Sequence, residues 1–370
     1  MPDSDNFSLS GLLEELELEI EDREKSKPKQ SSAAEKPADE GLQGPEAERG
    51  VHDDWQFMGL LEGLEGSAQN NSMSQFRPKD KSQGVKREAI QVPRPWSVEG
   101  SLAFTSLASD ANSAYRSYME DGSLVLQPFE PGSGSDRWGF FAVYDGHGGR
   151  EAVDYCEMRL HQQVALEMKT STASDALRTA FLKIDSQLGM YGAWNHGTTA
   201  TVVLVQGSKT ARSLYVAHVG DSRAVLIENI GCPRSLTKDH RPTDSEEAKQ
   251  VTDGGGIVSG GRVGGDLAIS RSLGDHRLKG KGLSCNPDLC TASVAAGHVL
   301  IVATDGLWDV VSDEDACRIV EKSVEQAAEA HSKSPAEIAT WLQNRTSQEL
   351  VDEAKRLGSR DNILVLTLFF

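Results

Sequence analysis

The stretch that decides the fold is the apolar segment 138–144, WGFFAVY, which runs directly into 145–149, DGHGG. An uncharged run rich in aromatic and β-branched residues predicts a buried strand. Apolar residues then recur at helical spacing from Val153 to Val164. The sequence therefore predicts a carboxylate, a histidine and three glycines between the end of a buried strand and the start of a helix.

This turn is a candidate metal-binding element. Glycines let the backbone approach a ligand closely, so a main-chain carbonyl can join the Asp145 carboxylate in a metal shell. The alternative is a tight glycine-rich turn with an aspartate cap, and the motif alone does not separate the two. The choice depends on whether other acidic strand ends in the chain share the same design.

Composition narrows the class of protein. The chain has 370 residues, 38% of them apolar, which allows one large domain with an extension or two domains. Its net charge of −18 argues against a nucleic-acid-binding surface and suits divalent cations. The five cysteines are scattered and odd in number, so we expect free thiols in a reducing compartment.

No targeting or membrane segment is predicted. The N-terminus is acidic and lacks the apolar core of a signal peptide. No run approaches the roughly 20 apolar residues that a membrane helix needs. We expect an intracellular monomer, cytoplasmic or nuclear, that has no membrane or nucleic-acid partner.

Residues 1–95 differ from the rest and are predicted to be a largely disordered acidic extension, with 20 acidic and 12 basic residues. Two leucine- and glutamate-rich islands, 9–20 and 55–65, contain GLLEELE and GLLEGLE, which agree at six of seven positions. They suggest a duplicated docking helix for a partner's groove or for the protein's own catalytic domain. The alternatives are chance similarity in a biased tract or one helix that caps the domain. The basic stretch 77–87 suits nuclear import or a solvated linker.

From residue 96 onward the pattern is that of a folded domain. Clusters of predicted strands alternate with pairs of helices, which favours an α+β fold of packed antiparallel sheets flanked by helices. The strands at 199–205, 214–219 and 224–227 have short turns between them and suggest an antiparallel meander. Seven glycines in 254–265 mark a candidate flap.

Several carboxylates lie at predicted strand ends or turns: Glu120, Asp121, Asp145, Asp239, Asp305 and Asp361. No paired cysteines and histidines accompany them, so oxygen ligation of Mg²⁺ or Mn²⁺ is favoured over zinc. Carboxylates that meet at one sheet edge can hold two cations about 4 Å apart and activate a bridging water, which is typical of hydrolysis at phosphorus. Each carboxylate taken alone is better explained as a polar turn or a cap.

The motifs together resemble those of the metal-dependent Ser/Thr protein phosphatases of type 2C, in the family's order over about residues 98–370. The matching motifs are Arg116 with Met119-Glu120-Asp121, 143–149 (VYDGHGG), 197–200 (GTTA), 219–224 (VGDSRA), 236–242 (LTKDHRP), 267–275 (LAISRSLGD), 303–309 (ATDGLWD) and 358–362 (GSRDN). The resemblance implies a four-layer αββα sandwich of two antiparallel sheets flanked by helices. It also implies a phosphatase acting on phosphoserine and phosphothreonine in phosphoprotein substrates.

The resemblance implies a ligand set for two Mg²⁺ or Mn²⁺ ions. Asp145 bridges the two metals, and the Gly146 carbonyl binds one of them. Asp305 and Asp361 complete the shell of one metal.

Further roles follow from the same resemblance. Glu120 and Asp121 serve the other metal, partly through waters. Asp239 is similar to the family's ligand for a weaker third metal, which it shares with Asp305.

The family's catalytic groups match two more residues. Arg116 resembles the phosphate-binding arginine, since a planar guanidinium suits a phosphate dianion. His147 resembles the general acid that protonates the leaving serine or threonine oxygen, with a role limited to orienting Asp145 as the alternative. With catalytic Asp145, these groups predict attack by a metal-activated water without a phosphoenzyme.

Two other functions remain to be compared. A catalytically inactive scaffold or inhibitor would normally have lost ligands, and every expected ligand type is present here. A two-metal nuclease or phosphodiesterase is disfavoured by the acidic balance.

Overall fold

The computed structural model describes residues 102–132, 136–207, 212–229, 231–331 and 334–370. The predicted extension 1–95, its islands at 9–20 and 55–65 and the basic stretch 77–87 lie outside these residues and stay predictions. None of the helices within the described residues has the length and apolar character needed to cross a membrane.

The secondary structure follows in chain order. The strands are β1 (Phe104–Asp110), β2 (Gly122–Phe129), β3 (Arg137–Tyr144), β4 (Gly146–His147), β5 (Gly197–Thr198), β6 (Ala200–Gly207), β7 (Arg212–Val219), β8 (Arg223–Asn229), β9 (Cys232–Ser235), β10 (Val258–Ser259), β11 (Arg262–Val263), β12 (Leu273–Gly274), β13 (Asp288–Val294), β14 (Val299–Ala303) and β15 (Ile363–Phe369). The helices are α1 (Glu151–Glu167), α2 (Ala173–Met190), α3 (Ser245–Asp253), α4 (His276–Lys279), α5 (Asp305–Trp308), α6 (Asp313–His331) and α7 (Pro335–Arg356).

Two five-stranded antiparallel sheets form the centre of the fold. The first has the order β1-β15-β14-β8-β9, and the second has the order β13-β7-β6-β3-β2. Helices α6 and α7 pack on the outer face of the first sheet, and α1 and α2 pack on the second. The four-layer αββα sandwich implied by the sequence resemblance is therefore confirmed.

Strand β15 shows how the sequence builds these layers. All of its residues are buried. Leu364, Leu366 and Leu368 belong to the apolar cluster between the two sheets, whereas Ile363 and Val365 belong to the cluster beneath α6 and α7. Because side chains alternate between the faces of a strand, a continuous apolar run is what a strand covered on both sides requires.

The predicted meander over 199–227 is wrong in one respect. Strands β6 and β7 are antiparallel neighbours as predicted, but β8 pairs with β14 and β9 in the other sheet. Hydrophobic alternation does not say to which sheet a strand belongs, so a short turn is compatible with either arrangement. The turn at Gly220, where φ is +97°, carries the chain from one sheet to the other and places Asp221 at the shared edge.

Helix caps agree closely with the sequence. Ser312 and Ser334 accept hydrogen bonds from the third backbone amides of α6 and α7, as their capping patterns predict. Helix α3 begins at Ser245, because the Asp244 side chain accepts hydrogen bonds from the amides of its first turn. The glycine-rich stretch 254–265 contains the short hairpin of β10 and β11.

A matched pair of leucines tests the importance of the inter-sheet core. Leu366 on β15 is fully buried, whereas its register partner Leu107 on β1 is 49% exposed. We expect Leu366→Ala to lower the free energy of unfolding by about 2–5 kcal/mol, through lost burial and the cavity left behind. Leu107→Ala should cost less than about 1 kcal/mol. Urea denaturation measures both, and equal losses would contradict the assignment of Leu366 to the inter-sheet core.

Candidate metal centre

Hydroxyl groups fix the turn that follows β3. Thr199 Oγ1 accepts a hydrogen bond from the Asp145 amide at 3.1 Å, and the Thr199 amide donates to the Asp145 carbonyl at 2.9 Å. The same hydroxyl lies 2.6 Å from Ser222 Oγ, in the turn that switches sheets. A chain of short polar contacts thus holds the end of β3 beside the end of β7.

Three aspartates converge where the strands end. Asp145 follows β3, Asp221 follows β7 and Asp305 follows β14, and each offers a carboxylate oxygen within 4.8 Å of the others. The structure therefore brings together Asp145 and Asp305, as the sequence predicts. Asp221 was not predicted as a ligand, although its Gly-Asp turn after an apolar strand repeats the design of the other acidic strand ends.

Burial and mutual repulsion dominate the electrostatics of this group. Burial, reinforced by the neighbouring carboxylates, raises the pKa of Asp145 and of Asp305 well above the ordinary value. Burial also raises the pKa of Asp121 to about 7 and that of Asp221 to about 6. A hard divalent cation relieves such repulsion, so this oxygen-rich donor set fits Mg²⁺ or Mn²⁺.

Arg241 supplies positive charge at one side of the centre. Its Nη2 atom lies 3.1 Å from Asp221, 3.8 Å from Asp305 and 2.7 Å from Asp309. This guanidinium lowers the pKa of Asp221, although burial has the larger and opposite effect. Neither Arg241 nor Asp309 was predicted as a site residue; both lie within matched motifs, which is the signal that was available.

Glu120 and Asp121 immediately precede β2, beside the same edge. Glu120 Oε1 accepts from the Gly149 amide at 2.8 Å. Asp121 Oδ2 accepts from the Thr304 hydroxyl at 2.9 Å, one residue before Asp305. A Cβ atom on Gly146 would lie 2.6 Å from the Glu120 carbonyl oxygen, so this approach of two backbones requires glycine.

Arg116 and Asp361 form an ion pair at the partly exposed rim. Arg116 Nε also donates to the Arg360 carbonyl at 3.4 Å. The charge of Asp361 contributes to the raised pKa of Asp145, although burial and nearer carboxylates have larger effects. The predicted phosphate-binding residue therefore lies beside one predicted ligand and retains partial exposure to solvent.

Asp239 is placed differently from its predicted role. Its two carboxylate oxygens accept from Arg223, at 3.0 and 2.8 Å. Among the described residues, the carboxylate that clusters with Asp305 and Asp145 is Asp221 and not Asp239. Ligation of a third metal by Asp239 is not supported by this arrangement and stays a prediction.

His147 lies on β4, two residues after Asp145. Its Nε2 atom is 2.8 Å from Asp275 Oδ2, a contact between residues 128 positions apart. Burial lowers the pKa of His147, but the hydrogen bond and charge of Asp275 more than offset this effect, so the pKa is raised. Asp275 was not predicted as a site residue, although it ends the matched motif 267–275; nothing in that motif indicates a distant histidine partner.

The arrangement combines groups suited to hydrolysis of a phosphate ester. Clustered carboxylates can hold divalent cations, a partly exposed arginine can bind an anion, and a partly buried histidine can donate a proton. These groups belong to the ends of several strands of both sheets and to the turns that join them.

Comparisons with known proteins agree with this geometry. The family model described as protein phosphatase 2C matches residues 105–363. Protein phosphatase 2C homolog 1 of Saccharomyces cerevisiae is 33% identical over 279 residues, which cover 71% of this chain and 92% of that protein. The protein of the same name in Schizosaccharomyces pombe is 34% identical over 284 residues, which cover 74% of this chain and 75% of that protein.

Solved structures show the same fold. A sex-determining protein of C. elegans superposes with a TM-score of 0.60 at 27% identity, over 73% of this chain and 65% of that one. A phosphatase from a pathogenic strain of Toxoplasma gondii superposes with the same TM-score at 21% identity, over 72% of this chain and 93% of its own.

The raised pKa values of Asp121 and Asp221 predict an unusual pH dependence of stability. Between about pH 4 and pH 7 the folded, metal-free protein holds protons that the unfolded chain has released, so stability should fall as pH rises through this range. Divalent cations require the ionised carboxylates, so added Mg²⁺ should raise the melting temperature more at about pH 7.5 than at about pH 5.

Thermal unfolding in EDTA and in MgCl₂ at both pH values measures these effects. Asp221→Asn removes one buried charge, so it should raise the melting temperature of the metal-free protein at pH 7.5 and reduce the gain on adding Mg²⁺. A metal-free melting temperature that is lower at pH 5 than at pH 7.5 would contradict the interpretation of the centre.

Proposed function

Because the chain belongs to the protein phosphatase 2C family of metal-dependent Ser/Thr protein phosphatases, we propose that it hydrolyses phosphoserine and phosphothreonine by direct attack of water at a centre of two divalent cations. The observation that carries this proposal is the convergence of Asp145, Asp221 and Asp305 from three strand ends. Carboxylates so crowded and buried are costly to the fold unless cations offset their charge.

The donor set favours Mg²⁺ or Mn²⁺ as the cations. We propose that Asp145, Asp305 and Asp361, with the Gly146 carbonyl, hold one ion, and that Asp145 with Glu120 and Asp121 holds the other. Asp221 lies close enough to Asp145 and Asp305 to join the shell. Bound there, such ions act as Lewis acids and lower the pKa of water.

Arg116 is proposed to bind the substrate phosphate. Its guanidinium is half exposed and already pairs with a carboxylate, Asp361, at the rim. A fork of fixed positive charge offers two donors to the oxygens of a phosphate dianion. The phosphate would thereby be oriented with its phosphorus towards the carboxylate centre.

His147 is proposed as the general acid. It lies next to the proposed metal-binding turn, and the Asp275 carboxylate, 2.8 Å from its Nε2 atom, favours the protonated imidazole. Protonation of the leaving serine or threonine oxygen is the step that a positioned imidazolium assists.

The cysteines support attack by water over attack by a side chain. Cys156 and Cys317 are buried, and burial raises the pKa of the Cys156 thiol above its usual range and that of Cys317 to about 12. Burial also raises the pKa of Cys285 to about 11. Because the thiolate is the nucleophilic form, these thiols are poor candidates for a phosphoenzyme intermediate.

Removal of one carboxylate tests the metal-dependent mechanism. We expect Asp145→Asn to lower turnover of a phosphoserine peptide by more than about 10²-fold, since partners outside the metal shell already contribute 10–100-fold when lost. The variant should remain folded, because the Asp145 contacts with Thr199 are made by the backbone. Release of inorganic phosphate with Mn²⁺ or EDTA measures the effect, and Asp253→Asn, an exposed carboxylate on α3, is the control.

The choice of ester separates the competing functions. We expect hydrolysis of phosphopeptides but not of bis-p-nitrophenyl phosphate, a diester. Preference for the diester would favour a phosphodiesterase, and inactivity of the wild type on both substrates with saturating Mn²⁺ would favour a non-catalytic role.

A second experiment addresses the nucleophile. With ³²P-labelled phosphopeptide and rapid acid quenching, direct attack by water should leave no acid-stable label on the protein and show no stoichiometric burst of the dephosphorylated peptide. A burst equal to the enzyme concentration with labelled protein would overturn direct attack, while leaving the assignment as a phosphatase intact.

A further inference from the structure

Asp275 lies outside the carboxylate centre and contacts the proposed general acid, His147. Its Oδ2 atom lies 2.8 Å from Nε2 of His147, and the residue is 4% exposed. It occupies the N-cap position of α4 without a side-chain capping hydrogen bond, and it lies in the left-handed region, with φ of 52°, which aspartate adopts far less readily than glycine. A buried carboxylate in an uncommon backbone conformation beside an active-site histidine indicates a dedicated role.

Neighbouring groups hold this carboxylate in one orientation. The Ser272 hydroxyl donates to the same Oδ2 atom at 2.6 Å, and the Asp275 amide donates to the His196 carbonyl at 2.9 Å. Lys279 donates to the Ser272 carbonyl at 2.6 Å and lies 2.9 Å from buried Asp185 of α2. The turn that carries Asp275 is thus anchored to a helix of the outer layer through Lys279.

The neighbouring strand β5 leaves space for the Asp275 carboxylate. Gly197 on β5 pairs with His147 on one side and with Gly274 on the other. A Cβ atom on Gly197 would lie 1.9 Å from Asp275 Oδ2, so a side chain at this position would displace the carboxylate. The contact between Asp275 and His147 therefore depends on glycine at a strand position, where glycine otherwise weakens pairing.

From this geometry we propose that Asp275 is the positioning residue of the general acid: it holds the Nε2–H of His147, so the proton delivered to the leaving group comes from Nδ1. This inference rests on the proposed function of His147. A carboxylate that accepts from one ring nitrogen fixes both the orientation and the tautomer of the imidazole.

The proton and electron balance is as follows. When the bond between phosphorus and the serine or threonine oxygen breaks, that oxygen keeps the bonding electron pair and takes the proton from Nδ1. Water forms the new bond to phosphorus and releases one proton to solvent. The imidazole is left neutral, with its Nε2 proton still held by Asp275, and it regains a proton at Nδ1 from solvent before the next cycle.

Dependence on the leaving group gives the first test. We expect Asp275→Asn to lower kcat for a phosphoserine peptide by about 10²-fold with little change in KM, because an alkoxide needs the proton. Hydrolysis of 2,4-dinitrophenyl phosphate, whose leaving group is stable as an anion, should fall far less. A plot of log kcat against leaving-group pKa across aryl phosphates should therefore become steeper. An equal loss on every substrate would mean a structural role and would overturn the proposal.

Coupling with His147 gives the second test. If Asp275 acts only through the imidazole, Asp275→Asn should cause no further loss on the phosphopeptide when added to His147→Gln. Additive losses would overturn the proposal. Asp253→Asn serves as the matched control for loss of a carboxylate, and thermal unfolding establishes that each variant is folded.

A measurement on the wild-type protein keeps the proposal falsifiable if the variants do not fold. With ¹⁵N-labelled histidine and diamagnetic Mg²⁺, long-range ¹H–¹⁵N spectra identify which ring nitrogen is protonated in neutral His147. The proton should lie on Nε2, and an Nδ1–H tautomer would overturn the proposal. If the wild type hydrolyses no phosphate monoester the proposed function fails instead, and the tautomer still reports on Asp275.

Discussion

The crowding of desolvated carboxylates at one edge of the two sheets is the constraint on which this structure depends. Asp121, Asp145, Asp221 and Asp305 are brought together from different parts of the chain, and burial raises the pKa of each. Packing elsewhere in the fold must offset the unfavourable free energy of bringing these charges together. Such electrostatic strain is expected at a site that a bound cation relieves. Arg241 offsets only part of the charge, on the side of Asp221.

The fold meets this constraint by ending strands of two sheets at one edge and by joining those ends through hydroxyl groups. Thr304 donates to Asp121 and accepts from the Leu364 amide, at 2.9 and 3.0 Å, which ties the centre to buried strand β15. Thr199 performs the same task between Asp145 and Ser222. These neutral groups hold the Asp121 carboxylate and the Asp145 backbone in place without neutralising either charge, so both carboxylates remain available to metal ions.

Much of this could be read from the sequence, and particular residues show why the rest could not. The buried strand at 138–144 and the caps at Ser312 and Ser334 follow from local patterns, and the structure has them. The placement of β8 in the other sheet does not follow from its local sequence, because hydrophobic alternation determines which face of a strand is buried but not which sheet the strand joins. Ion-pair partners cannot be predicted from the local sequence either. Asp239 pairs with Arg223 only because the fold brings the two residues together.

The small sheet of β4, β5 and β12 explains how one fold can hold carboxylates in two opposite electrostatic states. Thr198 pairs with Gly146 on one side and with Leu273 on the other, so the metal-binding turn and the segment that carries Asp275 share one register. Burial raises the pKa of Asp145 among like charges, whereas the hydrogen bond and charge of His147 outweigh burial and lower the pKa of Asp275. Groups whose environments separate their pKa values in this way are suited to different roles in one reaction. The carboxylates around Asp145 form a donor set that suits divalent cations, whereas Asp275 favours a protonated imidazole at His147. The short strand β5 pairs with both segments and therefore fixes the spacing between these two groups.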